Sequence, residues 1–316
     1  MTDLTVFSGH ANRDFATLLC DMLGVDLAPS RLSRFSNDCL QVQLRANCRR
    51  RNVYIVQPLV PPVQENLMEL LMMMDAARGA SAAEVTAVIP HYAYARSDKK
   101  DAPRISIGGR LVADMIQAAG ASRVLTMALH SQQVHGFFSM PVDQLTALPV
   151  LAQHYLHRDL SNTVVVSPDF GNAKDAGRFA RMLGVEVAAG SKQRLSDDKV
   201  VIDHIVGDVT GKDVIVLDDE IATGGSIIEL VDAVKSYRVR SISVACTHGL
   251  FTGPAVERLN ARDDIGEIVT TDTVPAPSGL ERLTVCSVAP LFAEAIQRID
   301  SGESISSLLS SERTYG

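Results

Sequence analysis

The sequence predicts an α/β protein made of two similar doubly wound parallel-sheet domains. Three observations carry this. Short runs rich in Val, Ile and Leu recur without strict polar alternation, as in strands buried on both faces. These runs are followed by turns and then by amphipathic helical patterns, the order of a parallel sheet with crossover helices. The alternation occurs twice, and 316 residues suit two domains of about 150 residues each.

The strand runs of the first half are LTVFSG (4–9), VYIVQP (53–58), VTAVIP (85–90) and VLTMAL (124–129). Those of the second are TVVVSP (163–168), DVIVLDD (213–219), SISVACTH (241–248), EIVTTDT (267–273) and LTVCSV (283–288). Helical patterns cover 62–79, 106–120, 172–184, 226–237 and 290–300. The division falls after the FFSMPVD segment, giving domains 1–146 and 147–316. Met-rich 68–74 reads as a core face.

The net charge of −7 argues against a nonspecific nucleic-acid coat or a membrane-surface protein. A hydrophobic content of 46% with 21% charged residues is that of a globular chain. Cys20, Cys39, Cys48, Cys246 and Cys286 form no CxxC pair and no zinc spacing. Scattered thiols of this kind predict a reduced, cytoplasmic protein. The N-terminus lacks a basic and apolar leader pattern. LMELLMMMDAA (67–77) is too short for a membrane span.

In doubly wound folds ligands bind beyond the carboxyl ends of the strands. The most informative such segment is VIVLDDEIATGGSIIEL (214–230). A buried strand ends in Asp218 and Asp219, and Thr223, Gly224, Gly225 and Ser226 lead into a helix. Glycines let backbone N–H groups approach an anion, and a helix N-terminus adds partial positive charge. Two carboxylates beside such a cradle suit sugar hydroxyls, held directly or through a metal ion. The arrangement looks like the ribose-phosphate loop of the type I phosphoribosyltransferase fold. No GxxxxGK[ST] and no strand-linked GxGxxG occurs.

Other strand ends add to the set. His130 follows one strand in ALHSQQVHGFF (128–138), and Asp169 follows another in TVVVSPDFGNAK (163–174). His130 is a candidate metal ligand or phosphate contact and Asp169 a candidate metal ligand or helix cap, and each taken alone also reads as structural. PHYAYARSDKKDAPRISI (90–107) supplies Arg96 and further cations that suit polyphosphate. GSKQRLSDDKV (190–200) reads as a mobile loop bearing Lys192 and Arg194, a lid over a transferring phosphoryl group or plain surface charge. His154 and His157 sit at i and i+3 with no acid or third ligand nearby and read as a solvent face.

Taken in order, the segments RFSND (34–38), ENLMELLMMMDA (65–76), TAVIPHYAYARSD (86–98), LHSQQVHGFF (129–138), VVVSPD (164–169), the KQR loop, IVGDVTGKDVIVLDDE (205–220), ATGGS (222–226) and ESIS (303–306) resemble the ribose-phosphate diphosphokinase family. The resemblance runs nearly end to end. It implies transfer of the β,γ-diphosphoryl group of ATP to the C1 hydroxyl of ribose 5-phosphate, giving 5-phosphoribosyl 1-diphosphate and AMP for nucleotide biosynthesis. It implies that Thr223, Gly224, Gly225 and Ser226 cradle the 5-phosphate and that Asp218 and Asp219 hold the ribose hydroxyls. His130 and Asp169 match magnesium-site positions. Phe35 would stack on adenine, and Asn37, Arg96, Ser97 and Asp98 would complete the ATP site. Lys192 and Arg194 match the family's catalytic Lys-x-Arg pair. The implied partners are ATP and ribose 5-phosphate with Mg²⁺, in a homo-oligomer (a hexamer or a smaller dimer-based assembly), without nucleic acid or membrane.

Several positions depart from the family pattern. Ala128 stands where an acid is common two residues before the histidine, and Ala222 replaces an acid of the phosphate loop. Ser97 stands for Gln, and Asn37 and Cys39 stand for acids in the adenine segment. The family's major class is activated by phosphate and inhibited by ADP. Arg49, Ser81, Ser304 and Ser306 match parts of its regulatory region, whereas Gly79 and the 99–103 stretch do not. Altered or absent allosteric control is the expectation. Two alternatives remain: a catalytically weak paralogue that regulates an active synthetase, and a base-transferring phosphoribosyltransferase. The second needs neither the adenine segment nor the Lys-x-Arg lid.

Overall fold

The structure, a computed structural model, describes residues 4–196 and 199–309, with the backbone alone over 192–203. These residues divide into two compact units, 4–146 with 289–309 and 147–288.

The first unit opens with β1 (Leu4–Ser8) and α1 (Arg13–Leu23). Asn12 caps α1 by accepting the Phe15 N–H, and Gly24 closes it in the left-handed region at φ +66°. Then come β2 (Leu27–Ala28), β3 (Ser30–Arg34), β4 (Leu40–Leu44), β5 (Asn52–Val56), α2 (Val63–Gly79), β6 (Glu84–Ile89), α3 (Gly108–Ala119), β7 (Arg123–Met127) and β8 (Val142–Leu145). Six strands form a parallel sheet ordered β2-β1-β5-β6-β7-β8. The β3–β4 pair stands apart as an antiparallel hairpin. Its strands alternate exposed and half-buried residues, so no apolar run marked it in the sequence. On α2, Leu70, Met73 and Met74 are buried beside Phe7, Ile55 and Ile89, while Met68 is exposed.

The second unit contains α4 (Leu148–Tyr155), β9 (Thr163–Ser167), α5 (Ala173–Leu183), β10 (Glu186–Ser196), β11 (Lys199–Val206), β12 (Asp213–Ile221), α6 (Gly225–Lys235), β13 (Ser241–Gly249), α7 (Ala255–Asn260), β14 (Glu267–Thr271) and β15 (Leu283–Cys286). The strand order is β11-β10-β9-β12-β13-β14-β15, parallel except for β10 with β11. Residues 190–200, expected as a loop, lie largely in that antiparallel ribbon, with Gly190 opposite Ile205 and Arg194 opposite Val200. A polar strand gives no burial signal; it forms because a sequence-adjacent partner satisfies its backbone.

Two further readings are corrected. The C-terminal helices α8 (Ala289–Ser301) and α9 (Ser306–Leu309) belong with the first unit, although the sequence division assigned them to the second. Phe292 of α8 meets Phe15 edge-to-face at 5.5 Å, and Asn52 Nδ2 donates to Asp300 Oδ1 at 2.8 Å. An amphipathic helix settles where its apolar stripe is covered, irrespective of chain order. His154 is turned inward, with Nε2 2.8 Å from Glu267 Oε1, and Arg158 bonds the same carboxylate. The acid arrives from the start of a distant strand, so local spacing gave no sign of it. His157 is exposed, as expected.

In each sheet the chain steps first to one side and then to the other. The reversal falls between β1 and β5 in the first unit and between β9 and β12 in the second. Such a switch point opens a crevice at the strands' carboxyl ends. In the first unit the chain fills its own crevice. Buried Gln57 donates to Glu69 Oε2 at 2.8 Å and accepts from the Ala11 N–H at 3.1 Å. A Cβ on Gly9 would lie 2.3 Å from the Gln57 Oε1. The crevice of the second unit is lined differently.

Candidate active site

At the second switch point, Val166 of β9 pairs with Val216 of β12, so the segments that follow emerge side by side. After β9 the chain turns sharply. Ser167 Oγ donates to the Asp169 carbonyl at 2.7 Å, and the Asn172 N–H donates to Asp169 Oδ1 at 3.1 Å. A Cβ on Gly171 would lie 3.0 Å from that Oδ1, which explains a small residue there. Asn172 Nδ2 then crosses to the Leu217 carbonyl at 3.0 Å. Asp169 is thereby fixed, half-buried, beside the end of β12.

The paired acids lie inside β12, which continues alongside β13 as far as Ile221 opposite Gly249. Asp218 and Asp219 are half-buried, and the Asp219 N–H donates to Asp218 Oδ1 at 2.9 Å. Cys246, opposite Asp218 on β13, is fully buried. Burial pushes its thiol up to about 12, and the neighbouring Asp218 and Asp219 charges add to that. It is therefore an inert thiol and not a nucleophile.

The turn from β12 into α6 is anchored from behind. The Phe251 N–H donates to the Ile221 carbonyl at 3.0 Å, and the Thr252 N–H to the Ala222 carbonyl at 2.8 Å. Gly224 has φ +77° and forms the N-cap of α6 without any side-chain cap. A residue with a Cβ would be strained there. The first intrahelical bond is Ile228 N–H to Gly224 O. The N–H groups of the first turn ahead of it have no intrahelical acceptor. With exposed Thr223 and Ser226 beside them, they offer backbone and hydroxyl donors of the kind that can receive an anion.

The remaining candidates fall elsewhere. In the first unit Arg96 ends a short 3-10 turn after β6 and is exposed. Ser97 Oγ accepts the Gly108 N–H at 2.8 Å and so caps the entry to α3; Asp98 is half-buried. His130 is exposed after β7, just beyond Ala128, whose φ of +43° turns the chain. Phe35 is 51% exposed in the β3–β4 turn. Asn37 Oδ1 accepts the Cys39 N–H at 3.2 Å, so its carbonyl closes the turn and its amide points away from that bond. Lys192 and Arg194 lie on β10, opposite Ile202 and Val200. Their side chains lie outside the described residues.

The structure therefore brings Asp169, Asp218, Asp219 and residues 223–226 to one switch point in the second unit. The sequence reading did not single out Asn172 or Thr252. An Asn just ahead of a helix was the available signal for the first. The second is visible only once β13 is laid beside β12.

The family model described as the N-terminal domain of ribose phosphate pyrophosphokinase matches residues 4–120. The model of the phosphoribosyl synthetase-associated domain matches residues 195–310. A ribose-phosphate pyrophosphokinase of Deinococcus radiodurans is 51% identical over 312 residues, covering 96% of this chain and 97% of its own. The chain belongs to the ribose-phosphate pyrophosphokinase family. A further relative, named "Putative ribose-phosphate pyrophosphokinase", from Streptomyces coelicolor, is 62% identical over 310 residues and is covered to 98%, as is this chain. The crystal structure of phosphoribosylpyrophosphate synthetase from Mycobacterium smegmatis matches with a TM-score of 0.89 at 35% identity. That match covers 95% of this chain and 99% of the other. Membership thus extends over both units, including the helices after 289 that return to the first.

Proposed function

We propose that the protein transfers the β,γ-diphosphoryl group of ATP to the C1 hydroxyl of ribose 5-phosphate, releasing AMP. The observation that carries this is the uncapped N-terminus of α6 set beside Asp218 and Asp219 at the switch point of a chain in this family. In this reading the N–H groups and hydroxyls of 223–226 hold the 5-phosphate, and Asp218 and Asp219 hold the ring hydroxyls. Arg96, Ser97, Asp98, Asn37 and Phe35 take the triphosphate and adenine. In the same reading Lys192 and Arg194 are the catalytic cations that meet charge as it develops.

Mg²⁺ suits this donor set. Among the described residues no three His, Cys, Asp or Glu side chains gather into a cage. Mg²⁺ is usually held by one or two carboxylates together with substrate phosphates and water. Asp169 supplies a fixed carboxylate of this kind. Bound Mg²⁺ would neutralise phosphate charge. The chain's own residues orient the C1 hydroxyl and screen the transferring group, which is most of what phosphoryl transfer requires.

We place the reaction in the cytoplasm, supported by five free thiols, and in a homo-oligomer with altered or absent phosphate and ADP control. No helix among the described residues is long and apolar enough to cross a membrane. The test is AMP formation from ATP and ribose 5-phosphate with Mg²⁺, comparing the parent with Lys192→Ala. Turnover that needs both substrates and falls about a thousandfold in the variant is the expected result. A parent that makes no AMP over a wide range of phosphate and metal refutes the catalytic reading.

A further inference from the structure

Arg258 lies on α7, well outside the segments discussed above. Its Nη1 donates to the backbone carbonyl of Thr223 at 3.2 Å. The same nitrogen lies 3.9 Å from where a Cβ on Gly225 would be. The guanidinium therefore lies against the turn that forms the anion cradle. It is exposed, so neither core packing nor charge burial accounts for its place.

The turn needs a brace. Gly224 is left-handed and Gly225 carries no side chain, so two successive residues have little intrinsic conformational preference. No side chain caps α6. The Phe251 and Thr252 N–H bonds hold Ile221 and Ala222, but they stop one residue short of Thr223. Leu259 and Ala255 of α7 pack within 4 Å of the Cβ position of Gly224, on the same side. Arg258 supplies the next bond in the series. With it, the peptide joining Thr223 to Gly224 is held at its carbonyl, which fixes where its N–H points.

We infer that Arg258 is a positioning residue for the proposed ribose 5-phosphate site, orienting the Thr223–Gly224–Gly225 backbone through the Thr223 carbonyl. This rests on the reading of residues 223–226 as the 5-phosphate cradle. A bond from a charged donor that is lost with the ligand bound weakens binding by about tenfold or more. The effect falls on one substrate, because ATP is assigned to other residues.

The experiment compares the parent with Arg258→Met, which keeps an unbranched apolar stem, and Arg258→Lys, which keeps a charged donor. Three quantities are read: KM for ribose 5-phosphate, KM for ATP, and the rise in Tm caused by ribose 5-phosphate without ATP. The expected result for Arg258→Met is a KM for ribose 5-phosphate raised about tenfold, an ATP KM within about twofold, and a smaller ligand-induced Tm rise. Arg258→Lys should recover a good part of each. Unchanged ribose 5-phosphate parameters in Arg258→Met would overturn the inference and leave the function standing. Equal losses for both substrates, with a lowered Tm of the free protein, would also overturn it, in favour of a purely structural role. A parent that neither turns over nor responds to ribose 5-phosphate would remove the proposed function and this inference together.

Discussion

Asn172 Nδ2 donates to the backbone carbonyl of Leu217 at 3.0 Å, tying the turn after β9 to β12. The same residue's N–H holds Asp169 Oδ1. One residue thus links the Asp169 turn to the strand that carries Asp218 and Asp219. Asn172→Ala keeps the backbone bond and removes the cross-link, leaving the Leu217 carbonyl without this partner. The expected outcome is a fall in kcat/KM of about tenfold, the worth of one hydrogen bond at a positioned site, with a modest fall in Tm from the lost bond to a buried carbonyl. Steady-state kinetics beside a melting curve would check it; a large Tm loss with unchanged kinetics contradicts the assigned role.

The first unit offers a contrasting test at its own switch point. A Cβ on Gly9 would lie 2.3 Å from Gln57 Oε1, and Gln57 is fully buried and bonded to Glu69 and Ala11. A shift of Gln57 would break its bonds to Ala11 and Glu69. Gly9→Ala should cost about 2 kcal/mol or more through overpacking and a broken buried network. Denaturant unfolding should show this, while the ribose 5-phosphate response of the surviving folded protein stays that of the parent. A weakened response would mean that the filled crevice takes part in substrate binding after all.

Acid stability follows from the ends of α6 and α7. Arg262 bonds Asp264 through Nε at 2.9 Å and Nη2 at 2.8 Å, and Lys235 reaches it at 3.0 Å. The Arg262 bonds hold the Asp264 carboxyl well below the usual carboxylate range; burial works against this and Lys235 adds to it. A depressed carboxylate contributes stability above its unfolded value of about 3.9. That stability is lost as pH falls through the lower folded value. Asp264→Asn should therefore cost about 2 kcal/mol at neutral pH, and the gap to the parent should narrow below pH about 4. Urea unfolding at pH 7 and pH 3 measures it. A gap independent of pH would show that the carboxylate charge is not the stabilising feature.

The β-runs centred on 53–58, 85–90, 124–129, 163–168 and 213–219 were legible because Val- and Ile-rich segments buried on both faces have few other places to go. The helices α2, α3, α5 and α6 were legible from their apolar faces. The β3–β4 hairpin and the β10–β11 ribbon were not. Their residues are polar or half-exposed, and what fixes them is backbone pairing, which side-chain pattern does not encode. The chemistry-bearing types at the site were visible for a related reason. Glycine pairs and adjacent acids at the end of an apolar run are costly to place without use.

The sequence by itself determined the α/β class, the location of Asp169 and residues 223–226 just past strands and of Asp218 and Asp219 at the end of an apolar run, and the family resemblance. Those are local facts, carried by residue type and short spacing. Tertiary structure alone decided that one switch point is plugged by Gln57 while the other is lined by acids and an uncapped helix. It decided that α8 covers the first unit, that His154 meets Glu267, and that Asn172 and Arg258 reach the carbonyls of Leu217 and Thr223. Each of these joins residues far apart in the chain, through groups every residue carries. A backbone carbonyl has no signature in a sequence, so which side chain reaches it is settled only when the strands are laid side by side.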